Sequence, residues 1–186
     1  MTTTHLSPEP FDIQIEHTSR LDRDVLTRSR DLLDLVFDGE MSDADWEHSL
    51  GGMHAIAWRA DVLVGHASVV QRRVVHGGRA LRTGYVEGVG VHPAWQRQGA
   101  GGQMMAALEQ IVNRAYDLGA LGATDEAVSL YEHRGWRKWL GPTSAMTPTG
   151  LVRTIDEDVA VFVLAGSHPL DLHGELTCDW RDGDVW

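Results

Sequence analysis

The 186-residue sequence predicts an α+β fold, a mixed and mostly antiparallel central sheet flanked by helices. Three observations carry this. Residues 53–91 hold three consecutive β-rich stretches separated only by short turns, as antiparallel hairpins are. At Gly99 the apolar residues switch to spacings of three and four, the helical period, and helical and extended segments then alternate. Two helical stretches also precede the hairpins. The length suits one ordinary domain, so 1–186 is read as a single unit, with 1–10 a flexible N-terminus.

Taken in order, Phe11–Ile15 alternates apolar and polar residues as a half-buried strand does. Thr18 or Ser19 offers an N-cap to a long helix whose stripe is Leu21, Val25, Leu32, Leu33, Leu35, Val36 and Phe37, ended by Gly39. Ser42 with Asp45 forms an acidic variant of a capping box for a short second helix through Leu50. Met53–Arg59 and Val62–Val75 form a hairpin across Ala60 and Asp61, and His76-Gly77-Gly78 turns the chain into a third strand, Arg79–Val91. The glycines of Tyr85-Val86-Glu87-Gly88-Val89-Gly90-Val91 predict a bulge or a close backbone approach there. Met104, Met105, Leu108, Ile111, Val112 and Ala115 define a helix stopped by Gly119. Ala120–Thr124 is a short strand, Thr124 or Asp125 caps a helix through His133, and Trp136–Leu140 is again extended. Gly141–Asp158, with Pro142, Pro148 and Gly150, reads as a long functional loop before the strand Val159–Leu164.

Composition narrows the partners. Sixteen Lys and Arg against 27 Asp and Glu leave a formal charge of −11, which repels nucleic acid and attracts cations, although acidity also serves solubility alone. The single cysteine, Cys178, forms no internal disulfide, and no apolar run approaches a membrane span, so a cytoplasmic setting is expected. The ten histidines show no compact ligand spacing, and no metal site is expected.

The sharpest motif is Gln96-Arg97-Gln98-Gly99-Ala100-Gly101, between an apolar strand and an amphipathic helix. Glycines there let successive main-chain N–H groups face one concavity, the positive helix end favours a pyrophosphate, and Arg97 adds a full charge. Alone, the hexapeptide also fits a plain strand-to-helix loop. It resembles, however, the Q/R-x-x-G-x-G/A acyl-CoA loop of the GNAT superfamily, and Ser129-Leu130-Tyr131-Glu132-His133-Arg134-Gly135-Trp136 is similar to that superfamily's LYxxxGF segment. The resemblance implies the GNAT acyltransferase fold, with a bulged strand splayed from its neighbour to open a slot for acetyl-CoA along Val89, Gly90, Val91 and Gln96–Gly101 (Gln96, Arg97, Gln98, Gly99, Ala100, Gly101). It also implies Tyr131 near the CoA sulfur.

A closer resemblance, from about Leu21 onward, is to the aminoglycoside 2'-N-acetyltransferases. Asp45-Trp46-Glu47-His48, Leu50–Ala55, Gln71-Arg72-Arg73, Gly84–Val89, Gly141–Ser144 and Cys178–Trp186 carry it. It implies a polycationic acceptor, an aminoglycoside, bound by Glu40, Glu87, Gly88, Gly122, Asp156, Glu157, Asp184 and the carboxylate of Trp186, with 166–186 packing at the acceptor site. The family pattern favours Asp where this chain has Glu40 and Ser where it has Gly122, so acceptor preference is expected to differ. By composition alone the acidic run 156–158 is also an ordinary solvated loop and 180–186 an ordinary tail, but two tryptophans in the tail argue that it is tied down.

The implied chemistry is direct attack in a ternary complex. Glu87 and the Trp186 carboxylate drain the ammonium proton through water, a main-chain N–H near Val89 polarises the thioester carbonyl, and Tyr131 assists the thiolate. Cys178 as a covalent nucleophile is the rival scheme. The competing readings are a GNAT enzyme for a polyamine, an envelope amino sugar or a protein lysine, and a CoA-binding regulator without turnover. GNAT resemblance further suggests a homodimer in which Val159–Leu164 pairs across a two-fold axis.

Overall fold

The longest strand organises the sheet. The computed structural model describes residues 11–158, 160–166 and 168–186, so the expectation for 1–10 falls outside it. Strand β1 (Asp12–His17) pairs with β2 (Met53–Arg59), and β2 with the first half of β3 (Val62–His76). The last three residues of β3 pair on the same edge with β10 (Leu176–Cys178), so one 15-residue strand bridges two halves of the sheet. On its other edge β3 pairs with β4 (Arg79–Val91) from Gly65 to His76, with one slip of register. Outward from β4 come β5 (Leu118–Gly122), β9 (Val161–Ala165) and β6 (Arg137–Lys138), and outward from β10 come β7 (Thr143–Thr147) and β8 (Gly150–Arg153). Pairing is antiparallel except at β4–β5 and β7–β10.

The period-2 alternation of the strands separates two faces. Ala55, Ala57, Val86, Leu121 and Phe162 face helix α3 (Ala100–Ala115), whose Met104, Met105, Leu108 and Val112 are buried against them. The intervening Ile56 packs with Leu32 of α1 (Arg23–Val36) on the opposite face. Farther along that second face, Val70, Leu81, Tyr85, Leu118 and Val163 are covered by Leu172, Leu176, Cys178 and Trp186 of the tail. Helices α2 (Asp43–His48) and α4 (Val128–His133) flank the point where β4 and β5 separate.

Several expectations need correction. The long helix starts after Asp22, because Thr18–Arg20 forms a separate 3-10 turn and the Thr18 hydroxyl is engaged elsewhere. Helix α3 ends at Ala115, and Gly119 lies within β5, where a Cβ would come within 3.0 Å of Val112 and 3.1 Å of Trp136. Gly141–Asp158 holds the β7–β8 hairpin and a 3-10 turn (Ile155–Glu157); every residue of β8 is exposed, so it carries no alternation to read. Strand β9 has β5 along one edge and the two-residue β6 on the other, at Phe162 and Val163. Ser42 and Asp45 do form the expected capping box.

Candidate active site

The site begins with a bulge. Between His66 and Ser68 of β3 the register with β4 slips, so that Gly88 and Val89 oppose the single residue Ala67. Gly88 takes φ +54°, and a Cβ there would lie 2.7 Å from Ser49 Oγ, so glycine meets both a conformational and a steric requirement. Beneath it runs a buried chain of hydrogen bonds. His66 Nδ1 lies 2.7 Å from the Gly88 carbonyl, His66 Nε2 lies 2.9 Å from His54 Nδ1, and His54 Nε2 lies 2.7 Å from Thr18 Oγ1. A carbonyl only accepts, so His66 donates from Nδ1, His54 donates to His66, and Thr18 donates to His54. Burial pushes His66 down to about 4, and burial with the neighbouring ring pushes His54 down to about 3, so both stay neutral.

The β4–β5 pairing stops short of the bulge. The two strands are in register only from Thr83 to Tyr85, and past Tyr85 this edge of β4 has no strand partner among the described residues. The splay opens a cavity of ≈ 390 Å³ walled by Val86–Val89 on one side and Gly122–Thr124 on the other. Glu40 and Met41 close it from the loop before α2, Asp45 and His48 from α2, and Tyr131 from α4. Glu157, Arg181, Asp184 and Trp186 complete the wall.

Of the acceptor residues expected from sequence, Glu40, Glu87, Gly88, Gly122, Glu157, Asp184 and Trp186 therefore converge. Asp156 does not: it is exposed and outside the cavity wall, because successive side chains of a 3-10 turn diverge and Glu157 is the one turned inward. Asp158 is structural. It pairs with Arg153 and accepts from the N–H and hydroxyl of Thr143, which hold its carboxyl down at about 2. Trp186 is 4% exposed and donates from Nε1 to Thr154 Oγ1 at 2.9 Å, so the tail is tied down; Trp180, by contrast, is 46% exposed.

Of the titrating groups in the wall, Glu87 and Tyr131 are displaced furthest from their ordinary ranges. Burial raises the Glu87 carboxyl to about 7 against the pull of Arg181, which donates to Oε1. Burial likewise raises the Tyr131 hydroxyl to about 12, with the ring packed against Trp136 and Phe162. Arg181 is the cation of the cavity wall that sequence reasoning missed: it stood inside a recognised motif, but no local pattern says that an arginine 94 positions away reaches Glu87.

Beyond the cavity the chain continues from β4 through Gly90 and Val91 into a 3-10 turn (Pro93–Trp95) and the loop 96–99. The Gln96 side chain donates back to Val91 O at 3.1 Å, Arg97 takes φ +58° and Gly99 φ +95°. Gly99 is the N-cap of α3, so no side-chain oxygen caps the first turn. The free N–H groups of Ala100 and Gly101, the helix dipole and exposed Arg97 fit a diphosphate, and the unpaired β4 edge fits an extended amide chain. These residues stand apart from the cavity, of whose wall Val89 is the shared member. Cys178 is buried, donates to Val185 O at 3.3 Å and has its thiol raised to about 11 by burial, the opposite of what a nucleophile needs.

The family model of the acetyltransferase (GNAT) domain matches residues 17–139. An aminoglycoside 2'-N-acetyltransferase of Mycolicibacterium fortuitum is 48% identical over 177 residues, covering 93% of this chain and 91% of that one. Among solved structures, a GNAT family acetyltransferase from Brucella melitensis in complex with acetyl-CoA superposes with a TM-score of 0.58 at 17% identity, over 89% of this chain and 94% of that one. Escherichia coli ElaA superposes with a TM-score of 0.58 at 20% identity, over 83% of this chain and 99% of that one, and these two likenesses speak for the fold. A bulged, splayed strand leading into an uncapped glycine-rich helix start, matched by sequence along most of its length, identifies the chain as an acetyltransferase of the GNAT family.

Proposed function

We propose that this enzyme transfers an acetyl group from acetyl-CoA to the 2'-amine of an aminoglycoside, by direct attack in a ternary complex. The observation that carries the reading is the acid-lined cavity at the β4–β5 split, with a carboxyl titrating near neutrality in its wall. The 48% identity to an aminoglycoside 2'-N-acetyltransferase supports the choice of acceptor, and the free β4 edge with the uncapped start of α3 supports acetyl-CoA as donor.

Acetyl-CoA supplies an activated acyl carbon on a thiol leaving group; this chain's residues hold it and manage protons. Val89, Gly90 and Val91 offer main-chain groups along the free edge, and Gln96, Arg97, Gln98, Gly99, Ala100 and Gly101 form the seat for the diphosphate. Glu40, Glu157, Asp184 and the carboxylate of Trp186 attract the ammonium groups of the acceptor, while Gly88 and Gly122 leave it room. An ammonium has no lone pair to attack with, so Glu87, together with the Trp186 carboxylate, takes its proton through water. The C–N bond then forms as the C–S bond breaks. A main-chain N–H near Val89 stabilises the developing negative charge on the carbonyl oxygen.

Tyr131 assists as a hydrogen-bond donor to the departing sulfur. Full proton transfer from a hydroxyl near 12 to a thiolate whose acid titrates near ~8.5 is uphill by roughly 5 kcal/mol. The sign of the pH dependence follows from Glu87: its ionised form is the base, so kcat/KM falls as pH drops through about 7.

The test is a thiol-release screen over aminoglycosides that carry or lack the 2'-amine, with the acetylated position read by NMR. Release confined to acceptors with the 2'-amine, and product acetylated there, is expected. Equal release without that amine, or turnover only with polyamines or lysine peptides, overturns the choice of acceptor; thiol release with none of these leaves a CoA-binding protein.

A further inference from the structure

The cavity attracts cations, yet one cation is already inside it. The Arg181 side chain is 13% exposed, and each donor edge serves a different group of the wall. Nη1 donates to Glu87 Oε1, Nη2 to the main-chain oxygen of Trp186 at 3.0 Å, and Nε to the Asp184 carbonyl at 2.7 Å. Its guanidinium carbon also stands 5.4 Å from the centroid of the Tyr85 ring.

Fastening the tail does not by itself require this arginine. Arg72 of β3 already grips it, donating from Nε to Asp179 Oδ1 at 2.8 Å and from Nη2 to Asp179 O at 3.0 Å and Val185 O at 2.8 Å. The Trp186 indole and the Cys178 thiol add two further ties. Withdrawing a second guanidinium from water is costly, and the cost is recovered only where the charge has a close, well-directed partner. That partner is Glu87.

We infer that Arg181 is a positioning residue for acetyl transfer, an internal counter-cation that keeps the Glu87 carboxylate ionised and aimed while fixing the Asp184–Trp186 wall around the acceptor. The inference rests on the reading of Glu87 as the base. Other charges around Glu87 do not replace it. Arg72 pulls in the same direction but is committed to Asp179, and Asp184 pushes the other way. Glu40 from the loop, Asp45 from α2 and Glu157 from the 3-10 turn add acids to the wall. His48 is pushed down chiefly by burial and then by Arg181, Tyr85 is pushed up by burial and by Glu87, and Tyr131 is pushed up by burial, so near neutrality none of the three carries charge. Without Arg181, Glu87 keeps its proton to a higher pH.

The experiment is a titration of glutamate carboxyls by 13C NMR in the intact protein without substrates, with the Glu87 signal assigned by its loss in Glu87→Gln. It is run on the wild type, Arg181→Gln and Arg181→Lys, and followed by pH profiles of kcat/KM with acetyl-CoA and an aminoglycoside bearing a free 2'-amine. In Arg181→Gln the Glu87 midpoint, and the acidic limb with it, rises by about one pH unit or more. In Arg181→Lys the point charge holds the midpoint near the wild-type value, but the lost fork loosens the tail and KM for the acceptor rises several-fold. A midpoint unmoved in Arg181→Gln overturns the inference. If Arg181→Gln does not fold by circular dichroism, Arg181→Lys decides: a displaced midpoint or an unchanged acceptor KM overturns it. A wild type that releases no thiol sinks the proposed reaction while leaving the carboxyl titration readable, so the two failures are distinct.

Discussion

From Gly88 to Gly101 one arm of the cleft is a single continuous stretch of chain, whereas the wall facing the cavity draws Glu40, Glu157, Arg181, Asp184 and Trp186 from three distant segments. The first arm works through main-chain groups: a bulge, a free strand edge and an uncapped helix start. The second is a wall of charged side chains, and Arg181, Asp184 and Trp186 join it because the tail packs over Tyr85 and is clamped by Arg72. Main-chain sites depend on a few glycine conformations and tolerate most other changes. Side-chain walls depend on each charge and on every contact that aims it.

The largest expected effect separates the arms most sharply. Glu87→Gln is isosteric but cannot accept the proton, so kcat/KM for the acceptor should fall by about 10²- to 10⁴-fold, and the acidic limb near pH 7 should vanish from the residual rate. The affinity for acetyl-CoA, measured by calorimetry, should hardly move; a parallel loss there means that the arms are not independent. Gly88→Ala attacks the hinge the arms share. Its left-handed φ and the contact with Ser49 Oγ predict a loss of about 1–3 kcal/mol in the denaturant unfolding free energy, with weaker binding of both substrates.

Next comes Gly99→Val, which places a β-branched residue at φ +95° at the start of α3. It should raise KM for acetyl-CoA about tenfold, in line with ~1–3 kcal/mol of strain, and spare the acceptor KM. An effect on the acceptor instead would move the diphosphate seat elsewhere. The smallest effect belongs to Cys178→Ala. Stability should drop by about 1 kcal/mol as a buried side chain shortens, while kcat stays at the wild-type value. Acetylated enzyme after incubation with acetyl-CoA alone, abolished by this substitution, would restore the covalent scheme.

What could be read from sequence follows the same division. The hairpins of 53–91, the switch of period at Gly99 and the glycines of 84–90 are local, and local rules recovered them. The β7–β8 hairpin escaped because all of β8 is exposed and its turn residues looked like those of a loop. Strand β10 has only three residues and is a strand because β3 and β7 bracket it. The end of α3 was placed too late because Gly119 looked like a helix stop, when its lack of a side chain serves the packing of α3 on β5. Resemblance supplied Glu40, Glu157, Asp184 and Trp186, which no periodicity would have singled out; it also supplied Asp156, which stands exposed outside the cavity wall.

By itself, then, the sequence determined the order of strands and helices as far as α4, a backbone irregularity among the glycines of 85–91 and the glycine-rich start of α3, because each depends on φ, ψ and hydrogen-bonding preferences of residues close together in the chain. Tertiary structure alone decided that Arg181 meets Glu87, that His66 and His54 support the bulge from below, and that Glu87 titrates near 7. Those properties come from burial and from charges brought within a few ångströms across as many as 94 residues, and Coulomb and desolvation energies depend on separation in space, not along the chain.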